Sequence, residues 1–571
     1  MADSNRLLGV SALNLAKRKT TDGVFAALFG LFSAVAVGFG VYGAKNNNIN
    51  ELVNNIPKQC STSPPPMSGA ARRALLAVVA STSSDPDASA DLSIIAQHAW
   101  YLLPVVLLLL IVGLLMIHGL RHCARPFVYA SMAMIPISLL ASAAAVQASG
   151  VENSSPSIIL VAFALFYCLM LWCARDGLKL CAALLEQAAI VLMKHPSLIL
   201  VGALLMLGFL LVLAAGAFAV LALLSYGHWS VRTDPVTGDS VCSWDIEDVG
   251  VYGASVVGLA LLWASLLTFT MRFFIVSLVT ACWYFDNAGG AVDAPSGAAS
   301  GFGEARRAPV TTASKLAFTR SFGTLCFSSL VLTICQILKA MARQAQSRTN
   351  NLFVCLVACC LRCIINVIEF LNKFAVAMHA ITGDDFCASG RQVTAMLSRH
   401  GLNAWFCDRI SAFVLSTAAF AFAVLGGGAS YIAVFYTLSD QPSDEADKRI
   451  VSSVFATTAF IIGWFILTFC ASIILNIVDA AYTCLALDMD AGAPHMPPMR
   501  DAMIPIVKPD FIVVVGHPGS AGQPSAIAVP VGGPVGGPAE IQTASAYPAA
   551  VPQAMAYPTA YPTAPQRPPG A

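Results

Sequence analysis

Six polar or ionisable side chains lie on one face of an otherwise apolar segment, where they are well placed to do chemistry. They are Arg362, Asn366, Glu369, Asn372, Lys373 and His379. On a helix at about 100° per residue, all six fall within an arc of about 140°. Ionisable groups at membrane depth are costly and tend to face a bundle interior or a wet cavity. The stripe therefore indicates a binding or permeation path. The structural alternative is that Glu369 and Lys373, spaced i, i+4, only neutralise each other.

Aromatic rings and carboxylates elsewhere in the chain suit the binding of an organic cation. A quaternary ammonium cannot donate hydrogen bonds, so it is held by aromatic faces, often with a carboxylate nearby. Trp263 and Trp464 fall near the middle of predicted helices, where a tryptophan either packs as a plug or forms the wall of a cage. Asp479 lies towards the end of its helix and could instead serve a gate or a cap. The predicted substrate-binding residues are Trp263, Glu369, Asn372, His379, Trp464 and Asp479.

The composition places these residues in a membrane protein. The chain has 571 residues, of which 57% are hydrophobic and only 11% are charged. Soluble domains carry about 25% charged residues, so a polytopic membrane protein is predicted. The formal net charge of +1 argues against a nucleic-acid partner, which requires a concentrated basic surface.

Apolar runs of spanning length predict an all-α protein with about ten transmembrane helices. The predicted spans are Gly23–Ala44, Ala99–Leu120, Phe127–Gln147, Ile158–Cys173, Leu198–Tyr226, Val251–Phe285, Leu316–Ala340, Leu352–Ile381, Ile410–Tyr436 and Ile450–Leu485. The segment Leu178–Met193 is amphipathic and suits an interfacial helix on the inner leaflet.

The charges of the connecting segments predict the orientation. Basic joints belong inside by the positive-inside rule, and two acidic loops, before Gly250 and at Asp440–Asp447, agree with an outside location. Both termini are therefore predicted to be cytoplasmic. One joint disagrees, because Arg343 and Arg348 fall where this count places the outside. Either that segment bends back into the protein, or the two spans beside it do not form a simple hairpin.

Composition also divides the chain into three parts. Residues 1–21 form a polar cytoplasmic N-terminus, residues 22–490 form the membrane domain with a long outer loop at 45–97, and residues 491–571 form a tail. The tail is rich in Pro, Gly, Ala and Tyr and cannot bury a core, so it is predicted to be disordered and cytoplasmic. The sequence does not identify a partner for it.

Three residues outside the predicted spans suggest covalent modifications. Most of the 17 cysteines lie in apolar segments, where they act as small hydrophobes. No two CxxC motifs occur with the spacing of a zinc site. Cys60 and Cys242 are the cysteines placed in outer loops, so they are predicted to form a disulfide. Asn153 begins an Asn-Ser-Ser glycosylation triplet close to the membrane.

No catalytic motif supports an enzyme. The chain lacks a phosphate-binding Walker A loop, a HExxH metalloprotease motif and a GxSxG nucleophile motif. We therefore predict a protein that is not an enzyme and that uses no cofactor and no metal.

The polar helix and the residues after it resemble the most distinctive block of the choline transporter-like family, which includes the fungal pH nine-sensitive proteins. The matching residues are Cys359, Cys363, Glu369, Asn372, Ala377, Gly383, Phe386, Cys387, Ser389 and Asn403. Thr21-Asp22, Trp283-Tyr284-Phe285 and Val478-Asp479 agree with the family as well. His379 and Gly390 depart from the family pattern, so the pocket is not expected to match that of other members at every position.

The resemblance implies a ten-helix transporter for choline, or in some members ethanolamine, with coupling to proton movement. The expected partners are a small cationic substrate and the lipid bilayer, and a plasma-membrane location is favoured over an internal membrane. Two alternatives remain: an ethanolamine or proton-coupled amine exchanger, suggested by His379 and the buried carboxylates, and a non-transporting membrane scaffold. A scaffold has no need of Glu369, Asn372 and His379 at membrane depth.

Overall fold

The structure is a computed structural model that describes residues 18–48, 102–148, 155–173, 175–233, 240–288, 309–348, 352–439 and 445–491. Over these residues the chain is almost wholly α-helical. Eight of the described helices are long and apolar enough to cross a membrane, and a ninth span results if one sharply bent helix pair is counted as a single crossing. These features confirm the prediction of an all-α polytopic membrane protein.

Eleven helices and one β-hairpin make up the described residues. They are α1 (Gly23–Asn46), α2 (Leu102–Ala148), α3 (Ser155–Cys173), α4 (Arg175–Lys194), α5 (Ser197–Leu224), β1 (Gly227–Thr233), β2 (Ser240–Ile246), α6 (Asp248–Ala288), α7 (Pro309–Phe318), α8 (Phe322–Arg348), α9 (Leu352–Thr382), α10 (Phe386–Ser439) and α11 (Glu445–Ala491). The bent pair is α3 with α4, at an angle of 73°.

Helix α2 contains two of the predicted spans. Cys123 has non-helical angles (φ −131°, ψ 34°), and it lies in the basic joint predicted between those spans. Pro126 follows three residues later, and a proline ring clashes with the carbonyl four residues before it. The two spans predicted on either side of this joint therefore form one long helix with a kink. The predicted number of ten spans stays a prediction, since eight or nine are found among the described helices.

One predicted span is interrupted, and one predicted loop contains regular structure. The span predicted from Leu316 to Ala340 is interrupted at residues 319–321, where the backbone N–H groups of Thr319 and Ser321 both donate to the Leu316 carbonyl. The turn coincides with the polar residues Thr319, Arg320 and Ser321, a local signal that the prediction of one continuous span passed over. The acidic loop before Gly250 includes the antiparallel hairpin β1–β2, in which Trp229 lies opposite Trp244.

Helix α4 was predicted to lie on the inner leaflet, but its apolar face is buried inside the protein. Leu184, Leu185 and Ala188 are fully buried. The helix packs against α2, α10 and α11. Its amphipathic pattern therefore reflects contact with other helices rather than with lipid, because both environments select the same apolar stripe.

The helices pack in two groups that meet in the centre. One group contains α1, α5, α6, α8 and α9, and the other contains α2, α3, α4, α10 and α11. The contacts of α6 with α11 and of α9 with α10 join the groups. The polar helix α9 therefore lies at this junction.

Several predictions fall on parts of the chain that the structure does not describe. Cys60, Asn153 and the tail after residue 491 lie outside the described residues, as does the side chain of Cys242. The disulfide, the glycosylation and the disordered tail therefore stay predictions.

Candidate functional site

Helices α8 and α9 form an antiparallel hairpin whose interface is polar along its length. Asn372 contacts Ser328 near the end predicted to be cytoplasmic, and Glu369 contacts α8 further along. The Arg362 guanidinium donates to the Gln346 side-chain oxygen (2.9 Å) near the opposite end. Only residues 349–351 connect the two helices. The basic joint at Arg343 and Arg348 thus belongs to a simple hairpin after all, and the polar stripe of α9 faces α8 over part of its length.

Glu369 pairs with α8. Its carboxylate lies 2.5 Å from the Lys339 Nζ and accepts a hydrogen bond from the Gln336 amide (3.1 Å). Both charged side chains are largely buried, at 23% exposed for Glu369 and 15% for Lys339. The alternative that Glu369 neutralises Lys373 is therefore wrong, because Glu369 pairs with Lys339 of the neighbouring helix α8 instead.

Lys373 lies between two carboxylates contributed by two other helices. Its ammonium group forms ion pairs with Asp408 of α10 (2.7 Å) and with Asp479 of α11. The same ammonium lies 5.9 Å from the ring centre of Phe273 on α6. Four helices thus converge on one alkylammonium group that is 27% exposed. We call Lys373, Asp408, Asp479 and Phe273 the ammonium site.

The sequence had identified Asp479 but not Asp408 as a candidate residue. Asp408 lies two residues before the predicted span that begins at Ile410, where a charged residue looks like an ordinary span boundary. A signal was nevertheless present, since Lys373 at membrane depth requires a carboxylate partner.

Trp263 and Asn372 form hydrogen bonds with adjacent residues of α8. The Trp263 indole N–H donates to the Ser329 hydroxyl (3.0 Å), and the Asn372 side chain exchanges hydrogen bonds with Ser328 (2.9 and 3.1 Å). Two rings of α1, Phe29 and Phe32, lie 5.1 and 5.9 Å from Trp263. The aromatic neighbours of Trp263 are thus supplied by α1.

His379 and Trp464 lie apart from these groups. The His379 Nδ1 is 2.5 Å from the Asp384 carbonyl oxygen, and its ring centre is 5.5 Å from that of Phe274. Trp464 is 38% exposed on the lipid-facing side of α11, in contact with the rings of Phe420 and Phe460. The structure therefore brings Asp479 and the stripe residue Lys373 together, but it does not add Trp464 to that cluster.

A further polar cluster, which the stripe did not predict, joins the start of α1 to the joint between α9 and α10. The Arg18 guanidinium donates to the carbonyls of Ala380 (2.6 Å) and Ile381 (3.1 Å) at the end of α9. Asp22 accepts from the Phe386 backbone N–H (3.1 Å) at the start of α10. Burial lowers the pKa of Arg18 to about 10, so the guanidinium keeps its charge at neutral pH. We call these contacts the inner clasp.

The comparison with protein families agrees with this arrangement. The sequence pattern of the plasma-membrane choline transporter family matches residues 158–490, which is more than half of the chain. The chain belongs to this family. The matched region contains α4 to α11 and all six predicted substrate-binding residues, and the family description agrees with the predicted plasma-membrane location.

Within the matched stretches, individual relatives are about a quarter to a third identical to this chain. Choline transporter-like 2 of Anopheles gambiae is 30% identical over 179 residues, which is 29% of this chain and 21% of the relative. A CTL-like protein of Dictyostelium discoideum is 24% identical over 331 residues, 54% of this chain and 58% of the relative. The protein PNS1 of Mycosarcoma maydis is 26% identical over 178 residues, 30% of this chain and 33% of the relative. The matches thus span between about a fifth and three fifths of the length of these relatives.

Proposed function

We propose that this choline transporter-like protein is a secondary or facilitative carrier for choline or a closely related organic cation, and that the cation binds at the ammonium site. The observation that carries the proposal is the environment of Lys373. Its side chain is itself an alkylammonium ion, and two carboxylates and an aromatic ring hold it inside the membrane domain. These are the groups that bind a small organic cation in water-poor surroundings.

The charge balance allows a substrate cation to compete with Lys373. Two carboxylates face a single lysine, and the additional partner of Asp408 is Arg409, which lies 3.9 Å away and is 63% exposed. An exposed ion pair of that length contributes little. An incoming cation can therefore take one carboxylate while Lys373 keeps the other.

Two buried aromatic residues lie close in sequence to ammonium-site residues, and in this proposal their rings attract the methyl groups of choline. Phe374 follows Lys373 on α9, Tyr482 lies one turn after Asp479 on α11, and their rings pack edge to face with centres 6.4 Å apart. A quaternary ammonium gains attraction from such rings without donating a hydrogen bond.

The inner clasp supports a carrier that exposes this site to one side at a time. Arg18 and Asp22 hold α1 against the joint between α9 and α10, at the end of the bundle predicted to face the cytoplasm. Release of these contacts frees α1 to move away from α9. In this proposal the clasp keeps the inner route closed until the substrate cation is bound.

Uptake of radiolabelled choline by the purified protein in liposomes tests the proposal, with Asp479→Asn as the decisive variant. Lys373 keeps Asp408 as a partner, so the variant should fold. Choline uptake should fall by about tenfold, the result of losing about 1.4 kcal/mol of charge attraction between the substrate cation and one carboxylate. Asp245→Asn, which changes an exposed carboxylate of β2, is the matched control and should leave uptake unchanged. Wild-type uptake by a folded Asp479→Asn variant would contradict the assigned site.

Ethanolamine is the second candidate, and one observation favours it. Lys373 is a primary ammonium that donates to two carboxylates, which a primary amine substrate can imitate and choline cannot. Competition of each amine against labelled choline, with and without a pH gradient, separates the candidates and tests proton coupling. No uptake of either amine by folded protein would instead support a scaffold.

A further inference from the structure

A cavity of about 480 Å³ between α2 and α10 is lined by apolar side chains and glycines. Its lining includes Leu109, Gly119, Phe127 and Phe422, and it contains no charged or hydrogen-bonding side chain. The lining includes no carboxylate to balance the charge of an organic cation, which is costly to bury without an opposite charge. The cavity is therefore separate from the ammonium site, and its occupant must be apolar.

The position of the cavity points to lipid as the source of that occupant. Leu115 and Leu425, which line it from α2 and α10, are 61% and 66% exposed on the outer surface of the helix bundle. Along α2 the cavity extends from Leu109 to Gly119, which is about 15 Å of helix. This is an elongated space beside the hydrocarbon of the bilayer, and its shape and chemistry fit an acyl chain.

Basic side chains follow directly at the end of the cavity predicted to be cytoplasmic. His118, Arg121, His122 and Arg125 are exposed and belong to the turns on either side of the kink at Cys123. The two histidine rings lie 4.8 Å apart. Helix α2 contains no acidic residue, and no ion pair involves either arginine within the described part of the chain.

The cavity and the basic residues together make a site with one apolar and one positively charged end. We propose that it binds an anionic phospholipid of the cytoplasmic leaflet, with an acyl chain in the α2–α10 cavity and the phosphate at Arg121 and Arg125. Arginine matches phosphate oxygens with paired donors. Basic pockets between membrane helices on the cytoplasmic side bind acidic headgroups in this way.

The charged end is tested by native mass spectrometry of the purified full chain mixed with phosphatidylserine or phosphatidylcholine. The wild type should retain phosphatidylserine preferentially. In the double variant Arg121→Gln with Arg125→Gln, the ratio of retained phosphatidylserine to phosphatidylcholine should fall about 25-fold. Each basic side chain near an anionic surface raises the binding constant about fivefold. The control Arg343→Gln with Lys448→Gln removes two charges at the opposite end and should keep it. Equal retention of both lipids by the wild type, or an undiminished preference in the Arg121/Arg125 variant, would overturn the proposal.

The apolar end is tested independently by filling the cavity. A Cβ placed on Gly119, which lines the cavity, meets no heavy atom within 4 Å, so Gly119→Leu is expected to extend into the open space. Gly208 of α5 is equally open and provides the control Gly208→Leu. Gly119→Leu should retain less of either phospholipid than the control, at the same melting temperature. Unchanged retention by folded Gly119→Leu would overturn the assignment of the acyl chain to this cavity.

Discussion

Glu369 and Lys373 lie one helical turn apart on α9, yet they pair with different neighbouring helices. Glu369 pairs with Lys339 of α8, whereas Lys373 pairs with Asp408 of α10 and with Asp479. The stripe on α9 thus divides into a hairpin-stabilising part and the ammonium site. This division separates a structural carboxylate from the carboxylates proposed to hold substrate.

The partner of Glu369 can be identified by a mutational cycle. Glu369→Gln leaves Lys339 as an unpaired buried charge and should lower the free energy of unfolding by about 3 kcal/mol. Adding Lys339→Met should restore the melting temperature and leave choline uptake within a few-fold of the wild type. The matched control is Glu369→Gln with Lys373→Met, which removes a lysine of the other cluster and should not restore stability. Rescue by Lys373→Met rather than by Lys339→Met would contradict the pairing.

At the scale of elements, the joint between α9 and α10 has little freedom to change. Gly383 has a φ of +79°, a backbone angle that residues other than glycine rarely adopt. A Cβ at this position would lie 3.1 Å from the Arg18 Nε. The turn and the inner clasp therefore depend on each other, because the same glycine permits the turn and leaves room for the guanidinium.

Gly383→Ala should destabilise the protein by about 1–2 kcal/mol through the strained backbone alone, and it should also loosen the contact of Arg18 with α9. Gly390, seven residues later in α10, has open space at its Cβ, so Gly390→Ala should be neutral or should stabilise the helix by up to about 1 kcal/mol. Melting temperatures of the two variants measure the difference. Equal stability of both would argue against strain at Gly383.

At the scale of the whole molecule, polar contacts join neighbouring elements at both ends of the helix bundle. The inner clasp gathers the starts of α1 and α10 and the end of α9 at one end. At the other end, the Asn48 side-chain amide donates to the Gly227 carbonyl and joins the end of α1 to β1. This separation agrees with the alternation of basic and acidic segments from which the orientation is predicted.

Epitope tags in intact cells test that orientation. Tags in the loop at residues 45–97 and between Asp440 and Asp447 should be accessible to antibody from outside, while tags at either terminus should be protected until the cells are permeabilised. A tag placed in the short joint between α8 and α9 should be accessible as well, despite the arginines there. Access to the C-terminal tag in intact cells would contradict an even number of spans.

The sequence alone determined the class of the fold, most of the long apolar helices and the family. In lipid every backbone polar group must be satisfied within the segment, so a long apolar run permits little except a helix. The polar helix was accordingly predicted as Leu352–Ile381 and is found as Leu352–Thr382. The family block could be recognised in the same way, because it consists of residue types at fixed spacings along one segment.

Only the tertiary structure decided which charged groups meet. The two partners of Lys373, Asp408 and Asp479, lie 35 and 106 residues later in the sequence, on other helices. The periodicity of α9 carries no information about which residues of other helices pack against it. The sequence could not predict the burial of α4 for a similar reason, because the same apolar face can pack against lipid or against other helices. Ion pairs at membrane depth form wherever packing brings opposite charges together out of water, so the ammonium site exists only once α6, α9, α10 and α11 have packed against one another.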